Sequence, residues 1–376
     1  MERIILSRII YIIERHLPQA QAGFRKNRST DDQITRLVND IESSFQRKEK
    51  YGLLLIDLTA AYDTVWHRGL YMKLLRIIPD VKLVKFIMTM IQNRSFYVET
   101  SSGERSRKRM LRNGLPQGSV LAPILFNIYT SDIPPTISKQ FLYADDSALG
   151  TSGTFESVER ILELDLAKLS HYFHQWHLKL SESKTVCSVF HLANRLANKE
   201  ITIQYNGLRL KFEREPVYLG VTLDRSLTFK AHLRKVAEKT SKRVNLIKKL
   251  AGCNWGANFN TLRTSTLSLV YSTAEYAAPV WSHSSHTKLV DVVINDALRL
   301  ISGCILPTPV DILPVLAGIP PSHIRRDHAV LKLAAKSHQP DSLVPAPTPV
   351  DAPPQRITRH SFTTRARAIM KTQPLF

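Results

Sequence analysis

Residues 141–148, FLYADDSA, place two adjacent carboxylates, Asp145 and Asp146, between an apolar run ending in a tyrosine and a second apolar stretch. Apolar flanks around a polar pair predict a β-hairpin with the acids at its tip. Two carboxylates about 4 Å apart repel by about 1 kcal/mol in bulk water and by about 4 kcal/mol at an effective dielectric of about 20. A surface turn relieves that repulsion with solvent. A hard divalent cation such as Mg2+ relieves it as well, because it takes oxygen ligands and binds through one or two carboxylates plus substrate phosphates. The neighbours of the hairpin decide between these two readings.

A third acid stands upstream, in YGLLLIDLTAAYDTVWH, residues 51–67. The apolar run 52–58 predicts a buried strand with Asp57 near its C-terminal end. An unpaired charge there is costly, so Asp57 needs either a salt bridge or a metal. Tyr62 and Asp63 then leave the strand end on the same local platform. Between this strand and the hairpin lies NGLPQGSVLAPILFNIY, residues 113–129. Asn113-Gly114 and residues 116–118 carry turn chemistry, and the apolar helix from Ser119 tolerates Pro123 near its start. Gly118 allows a backbone to approach a ligand closely, and Gln117 offers both a donor and an acceptor.

Ahead of the strand, QAQAGFRKNRSTDDQ (19–33) crowds Arg25, Lys26 and Arg28 beside Gly23. It reads either as a solvated basic turn or as a phosphate clamp, since guanidiniums suit clustered phosphates. Ser29, Thr30 and Asp31 predict the start of a helix whose apolar stripe is Ile34, Leu37, Val38, Ile41 and Phe45. Beyond the hairpin, residues 156–180 predict an amphipathic helix carrying His171, His174 and His177. No fourth ligand is recognisable, so these are read as ordinary half-exposed histidines rather than a metal site. A turn, SESK, delivers Lys184 before a strand over 185–190. Asn206-Gly207 marks a hairpin over 201–212, and VYLGVTLD, residues 217–224, adds a further strand.

Charge narrows the class of partner. Lys+Arg 52 against Asp+Glu 32 leaves +20, which points to a polyanion, nucleic acid before anionic membrane. Part of the excess lies on a long helix from about residue 229, where Arg234, Lys235, Lys239, Lys242 and Arg243 flank an apolar stripe suited to a phosphate backbone. At the N-terminus, MERIILSRIIYIIERHLP is interrupted by Arg3, Arg8, Glu14 and Arg15, too often for a membrane span, so it is read as a core-facing helix. Cys187, Cys253 and Cys304 are far apart and lack zinc-ligand spacing, as expected of reduced thiols in an intracellular protein. From residue 339 the chain turns Pro-rich and then basic, which predicts a disordered tail.

Taken in order, a strand-end aspartate, an LPQGS turn, a YADD hairpin and a lysine after an amphipathic helix resemble motifs A to D of a reverse transcriptase. GFRKNRST resembles the preceding fingers motif, and VYLGVTLD the primer-grip hairpin. QAGFRKNRST, AAYDTVWH and LPQGSVLAPILFNIY are similar to the jockey-like group of non-LTR (LINE-type) retrotransposon polymerases. The resemblance covers about residues 1–335. It implies an α+β right-hand polymerase with a ferredoxin-like palm, partial fingers and a helical thumb: fingers and palm over 1–225, thumb over 226–335, and a tail over 336–376. Family members carry further fingers sequence ahead of the part matched here, and usually an endonuclease domain. On that comparison the chain is expected to be N-terminally truncated, and no ribonuclease H domain is recognisable.

By motif position the resemblance implies that Asp57, Asp145 and Asp146 hold two Mg2+ ions, with Mn2+ able to replace them. Tyr62 would be the steric gate that excludes a ribose 2′-hydroxyl. Gln117 and Gly118 would contact the template-primer and incoming nucleotide, Arg25 the phosphates, and Lys184 would protonate pyrophosphate. The implied partners are an RNA template, a DNA primer or target and dNTPs, with no membrane; the oligomeric state is left open. The implied setting is nuclear with a cytoplasmic phase. The competing expectation is a catalytically inactive nucleic-acid-binding remnant of a decayed element.

Overall fold

The computed structural model describes residues 1–252, 255–347, 349 and 361–372. Its chain divides into two compact units: Met1–Ser29, Tyr51–Ser188 and Glu200–Phe212 in the first, Thr30–Lys50, Val189–Lys199 and Glu213–Phe376 in the second.

In the first unit, α1 (Glu2–Glu14) buries Ile5, Ile9 and Ile13, the stripe expected of a core-facing helix. The next helix, α2 (Thr30–Gln46), belongs to the second unit. Strand β1 (Lys50–Ile56) is buried almost throughout, as its unbroken apolar run requires. A short α3 (Ala61–Thr64), α4 (His67–Ile77) and α5 (Val81–Ile91) follow. The break between α4 and α5 falls at Pro79, and Asp80 caps α5 by accepting from the Lys82 and Leu83 amides. A hairpin, β2 (Ser95–Phe96) with β3 (Arg109–Met110), precedes α6 (Ala122–Tyr129), whose proline stands in the first turn.

Strands β4 (Lys139–Tyr143) and β5 (Asp146–Gly153) pair antiparallel, followed by α7 (Phe155–Gln175) and β6 (Val186–Phe190). The Asn206-Gly207 hairpin forms, but as β7 (Gln204–Tyr205) and β8 (Leu208–Arg209), only two residues per strand. The expected longer alternation is cut short because β9 (Lys211–Phe212) leaves the hairpin and pairs parallel with β6. One five-stranded sheet results, in the order β4-β5-β1-β6-β9.

Lys73 of α4 lies inside this unit with a side chain only 3% exposed. It pairs with Asp132 at 2.5 Å, donates to the Tyr129 carbonyl, and sits 3.5 Å from the Trp176 ring centroid, with Tyr129 and Tyr172 on its other sides. Burial outweighs the Asp132 partner and lowers its pKa from 10.5 to about 8. A lysine lowered in the folded state is a cost while it is charged, so that cost is present below about pH 8 and fades as pH rises towards the unfolded value. Chemical denaturation at several pH values checks this. The wild type should gain on Lys73→Met by about 3 kcal/mol between neutral pH and the unfolded lysine pKa.

In the second unit, β10 (Val217–Tyr218) and β11 (Val221–Thr222) form a separate hairpin. The expected basic helix is α8 (Lys230–Leu250), which buries His232, Leu233, Val236, Thr240, Val244 and Ile247. Helix α9 (Phe259–Thr266) continues through a π turn, Leu267–Tyr271, into α10 (Ser272–Ala274). Then come α11 (Ala278–Trp281), α12 (Lys288–Ser302), α13 (Leu313–Ala317), α14 (Ser322–Ala335) and α15 (Phe362–Thr372).

The last of these puts an ordered helix within the tail over 336–376 that was expected to be mostly disordered. Phe362, Ala366 and Ile369 of α15 recur at helical spacing and pack with Val330, Leu333, Ala334 and Val344. Arg365 adds an ion pair to Asp327. Residues 350–360 of the expected tail, and Cys253, lie outside the described residues. Cys187 and Cys304 are free thiols. Among the described residues, no helix is long and apolar enough to cross a membrane.

Candidate active site

Asp57 is the residue after β1, and its main chain is fixed by the segment leading into β6. Its amide donates to Thr185 Oγ1 at 3.3 Å and its carbonyl accepts from the Ser181 amide at 2.8 Å. Lys184 Nζ approaches its Oδ2 to 3.9 Å. That oxygen is nevertheless buried without a hydrogen-bond partner. A buried carboxylate oxygen left in this state is costly unless something else meets it.

The hairpin register pairs Tyr143 with Asp146, so Ala144 and Asp145 make the tip and the acids stand where the sequence put them. Ala144 adopts φ +57, a left-handed conformation that costs a non-glycine residue about 1–3 kcal/mol. Gln21, 2% exposed, holds it there. Its Oε1 accepts from the Ala144 amide at 3.0 Å and the Gly23 amide at 2.9 Å, and its Nε2 donates to the Ala144 carbonyl at 3.4 Å. Segment 20–22 runs beside β4, with the Ala22 amide donating to the Leu142 carbonyl at 2.8 Å and the Leu142 amide to the Ala20 carbonyl at 3.2 Å. A Cβ on Gly23 would stand 2.3 Å from the Ala144 nitrogen, so only glycine permits this approach. Asn127 of α6 fastens the Gly23 carbonyl at 2.8 Å.

Electrostatics tie the acids together. The Asp146 carboxyl is raised by burial first, then by the charges of Asp145 and Asp57. Tyr62 lies in the same field: burial, and after it the Asp145 charge, pushes its hydroxyl up to about 12. Its ring stacks on Phe126 of α6 with centroids 4.7 Å apart, which fixes the orientation of its face. Gln117 is exposed and donates to Asp63 Oδ1 at 3.3 Å. Gly118 stands at φ +87, and nothing lies within 4 Å of where its Cβ would be.

Arg25, expected on phosphates, is engaged by protein groups. Its side chain is 7% exposed and pairs with Glu14 at 2.5 Å, and it also donates to the Pro18 and Gln21 carbonyls. The guanidinium is spent on shaping the loop that carries Gln21, whereas its neighbour Lys26 is exposed. The three histidines are also separated: α7 ends at Gln175, and His177, at φ +54, turns edge-on to Trp66.

Among the described residues no group of three His, Cys, Asp or Glu side chains stands in metal-holding geometry. The donor chemistry still fits a hard cation, because Asp146 lies in the field of both Asp145 and Asp57, and Asp57 has one orphaned buried oxygen. The residues that sequence reasoning missed are Gln21 and Asn127, which position the tip without touching a ligand.

Residues 1–223, which include all of these side chains, match the family described as reverse transcriptase (RNA-dependent DNA polymerase). The chain belongs to the reverse transcriptase family. It is of the non-LTR retrotransposon type, with curated relatives from jockey-like and R1- and R2-type elements. It is 32% identical over 327 residues to the probable RNA-directed DNA polymerase from transposon BS of Drosophila melanogaster, covering 81% of this chain and 35% of that protein. It is 31% identical over 319 residues to the RNA-directed DNA polymerase from mobile element jockey of Drosophila funebris, covering 81% and 34%. The chain thus spans about a third of the length of these relatives. Among solved structures, apo telomerase from Candida tropicalis is similar at TM-score 0.45 and 12% identity, over 80% of this chain and 50% of that one. A central sheet flanked by helices is consistent with the palm, fingers and thumb of a reverse transcriptase. Membership of the family implies Mg2+-dependent chemistry.

Proposed function

We propose that this reverse transcriptase chain is an RNA-directed DNA polymerase that extends a DNA primer on an RNA template. The observation that carries the reading is that the charges of Asp57 and Asp145 both act on Asp146, while one Asp57 oxygen is buried without a hydrogen-bond partner. Asp57 and Asp145 would hold two Mg2+ ions, and Asp146 would complete the acidic cluster. When bound, such a pair supplies activation of the primer 3′-hydroxyl and neutralisation of the triphosphate and leaving pyrophosphate.

The chain's own side chains do the rest. Tyr62, its ring braced by Phe126, presents a fixed face to the sugar and excludes a 2′-hydroxyl. Lys184, whose Nζ lies 3.9 Å from Asp57 Oδ2, would give a proton to the departing pyrophosphate. Gln117 and Gly118 offer an exposed amide and an open backbone to the template-primer and the nucleotide. Arg25, paired with Glu14, and the exposed Lys26 beside it would meet the phosphates. Action on a DNA primer sets the work in the nucleus, after a cytoplasmic phase.

Primer extension on an RNA template tests this. Extension with dNTPs should require Mg2+ and stop in chelator. Tyr62→Ala should raise the use of rNTPs relative to dNTPs by about tenfold or more, because a lost steric exclusion of one hydroxyl is on the order of 1–3 kcal/mol. Undiminished extension in chelator would overturn the reading.

A further inference from the structure

The β2–β3 hairpin is an arm whose composition the metal site does not explain. Its strands pair Ser95 with Met110 and Phe96 with Arg109, yet farther out Glu99 bridges Arg105, so the returning strand holds one extra residue, a bulge. The arm is built rather than loose. The Leu111 amide donates to the Arg94 carbonyl at 2.8 Å, the Ser106 amide to Val98 at 2.9 Å and the Thr100 amide to Glu104 at 3.0 Å. At its root, Arg94 donates to the carbonyls of Ile91 and Gly114 at 3.0 and 2.9 Å.

Four large apolar side chains are nonetheless exposed on it: Phe96 44%, Tyr97 47%, Val98 59% and Met110 59%. The Arg105 guanidinium lies 4.8 Å from the Tyr97 centroid and pairs with Glu99 at 2.9 Å, which holds the ring in place. Arg107, Lys108 and Arg109 are exposed and make no ion pair among the described residues. The same chemistry continues past the root into a cleft of about 610 Å3, lined among others by Trp66, Arg68, Tyr71, Arg112 and Asn113.

We infer that the arm and the cleft at its root bind unpaired nucleic acid, its bases stacking on the exposed rings and its phosphates meeting Arg107, Lys108, Arg109 and Arg112. A duplex hides the faces of its bases, whereas a single strand offers each face to an aromatic ring and its backbone to a guanidinium. A protein partner fits less well, because interface cores are depleted of charge and this arm sets three adjacent cations beside its rings. The inference goes beyond the polymerase reading, since it uses neither the acids nor catalysis.

Fluorescence anisotropy in chelator tests it, with the full chain and labelled oligouridylate, oligodeoxythymidylate and a blunt RNA–DNA duplex. The double variant Phe96→Ala, Tyr97→Ala should weaken binding of both single strands by about tenfold or more and of the duplex by less than about twofold. The ring-conserving Phe96→Tyr, Tyr97→Phe variant should restore it. The triple variant Arg107→Ala, Lys108→Ala, Arg109→Ala should lower the slope of log affinity against log salt by about 2. Wild-type affinity in the ring-deleted variant, as expected if a protein is the true occupant, overturns the inference, and so does an equal loss on the duplex. Because no extension is measured, an inactive polymerase would leave these outcomes intact.

Discussion

Asp145→Asn is expected to cut Mg2+-dependent primer extension by about a thousandfold or more while raising the melting temperature of the metal-free protein. The amide keeps the volume at the hairpin tip but removes the negative charge a hard cation needs, and on the order of 4 kcal/mol of lost transition-state stabilisation corresponds to about a thousandfold in rate. The stability change has the opposite sign. Asp146 is raised in the folded state by burial and by the charges of Asp145 and Asp57, so its ionised form opposes folding. For an acid raised in this way, stability is present at low pH and is lost as pH rises through the folded value. Deleting the neighbouring charge returns part of that loss at neutral pH. Calorimetric melting with and without Mg2+, beside single-turnover extension, checks both halves. Mg2+ should stabilise the wild type more than the variant. A variant that loses activity and melting temperature together would show that Asp145 acts through folding rather than through an ion.

Gln21→Leu should reduce extension by about ten- to a hundredfold and raise the Mg2+ concentration needed for half-maximal activity. Leucine fills the same space yet leaves the amides of Ala144 and Gly23 without their acceptor. Each buried unsatisfied group costs about 1–3 kcal/mol, and the left-handed Ala144 loses what holds it. A tip displaced by about 1 Å is enough for losses of about a hundredfold. Gln21→Glu retains the accepting oxygen and should recover part of the activity. If both variants shifted the melting temperature alone and left the Mg2+ dependence unchanged, Gln21 would be a packing residue with no part in placing the acids.

The acids and their hairpin were legible in the sequence because apolar runs, turn residues and chain order all bear on them locally. Asp57 ends an apolar run that reads as a buried strand, and Asp145 and Asp146 sit between apolar flanks. The Arg25–Glu14 pair was not legible, because a guanidinium crowded beside Gly23 looks the same whether it faces a phosphate or a carboxylate, and nothing marks Glu14 as its partner. Gln21 carried no signal at all: its role is set by a strained turn more than a hundred residues downstream, which no periodicity reports. The β2–β3 arm was not legible as a hairpin, since two-residue strands are too short to alternate. In α15 the spacing of Phe362, Ala366 and Ile369 was present, but the proline-rich composition ahead of it dominated.

The run of segment 20–22 beside β4 has a consequence for how the protein behaves in a crowd. β4 is the outermost strand of the five-stranded sheet, and its open side would be a template for a strand from another molecule. The bonds from Ala22 to Leu142 and from Leu142 to Ala20 occupy that side next to the acidic tip. The same short segment that shapes the hairpin therefore also shields it from pairing with a second copy, so protection against aggregation and order in the hairpin are secured, or lost, together.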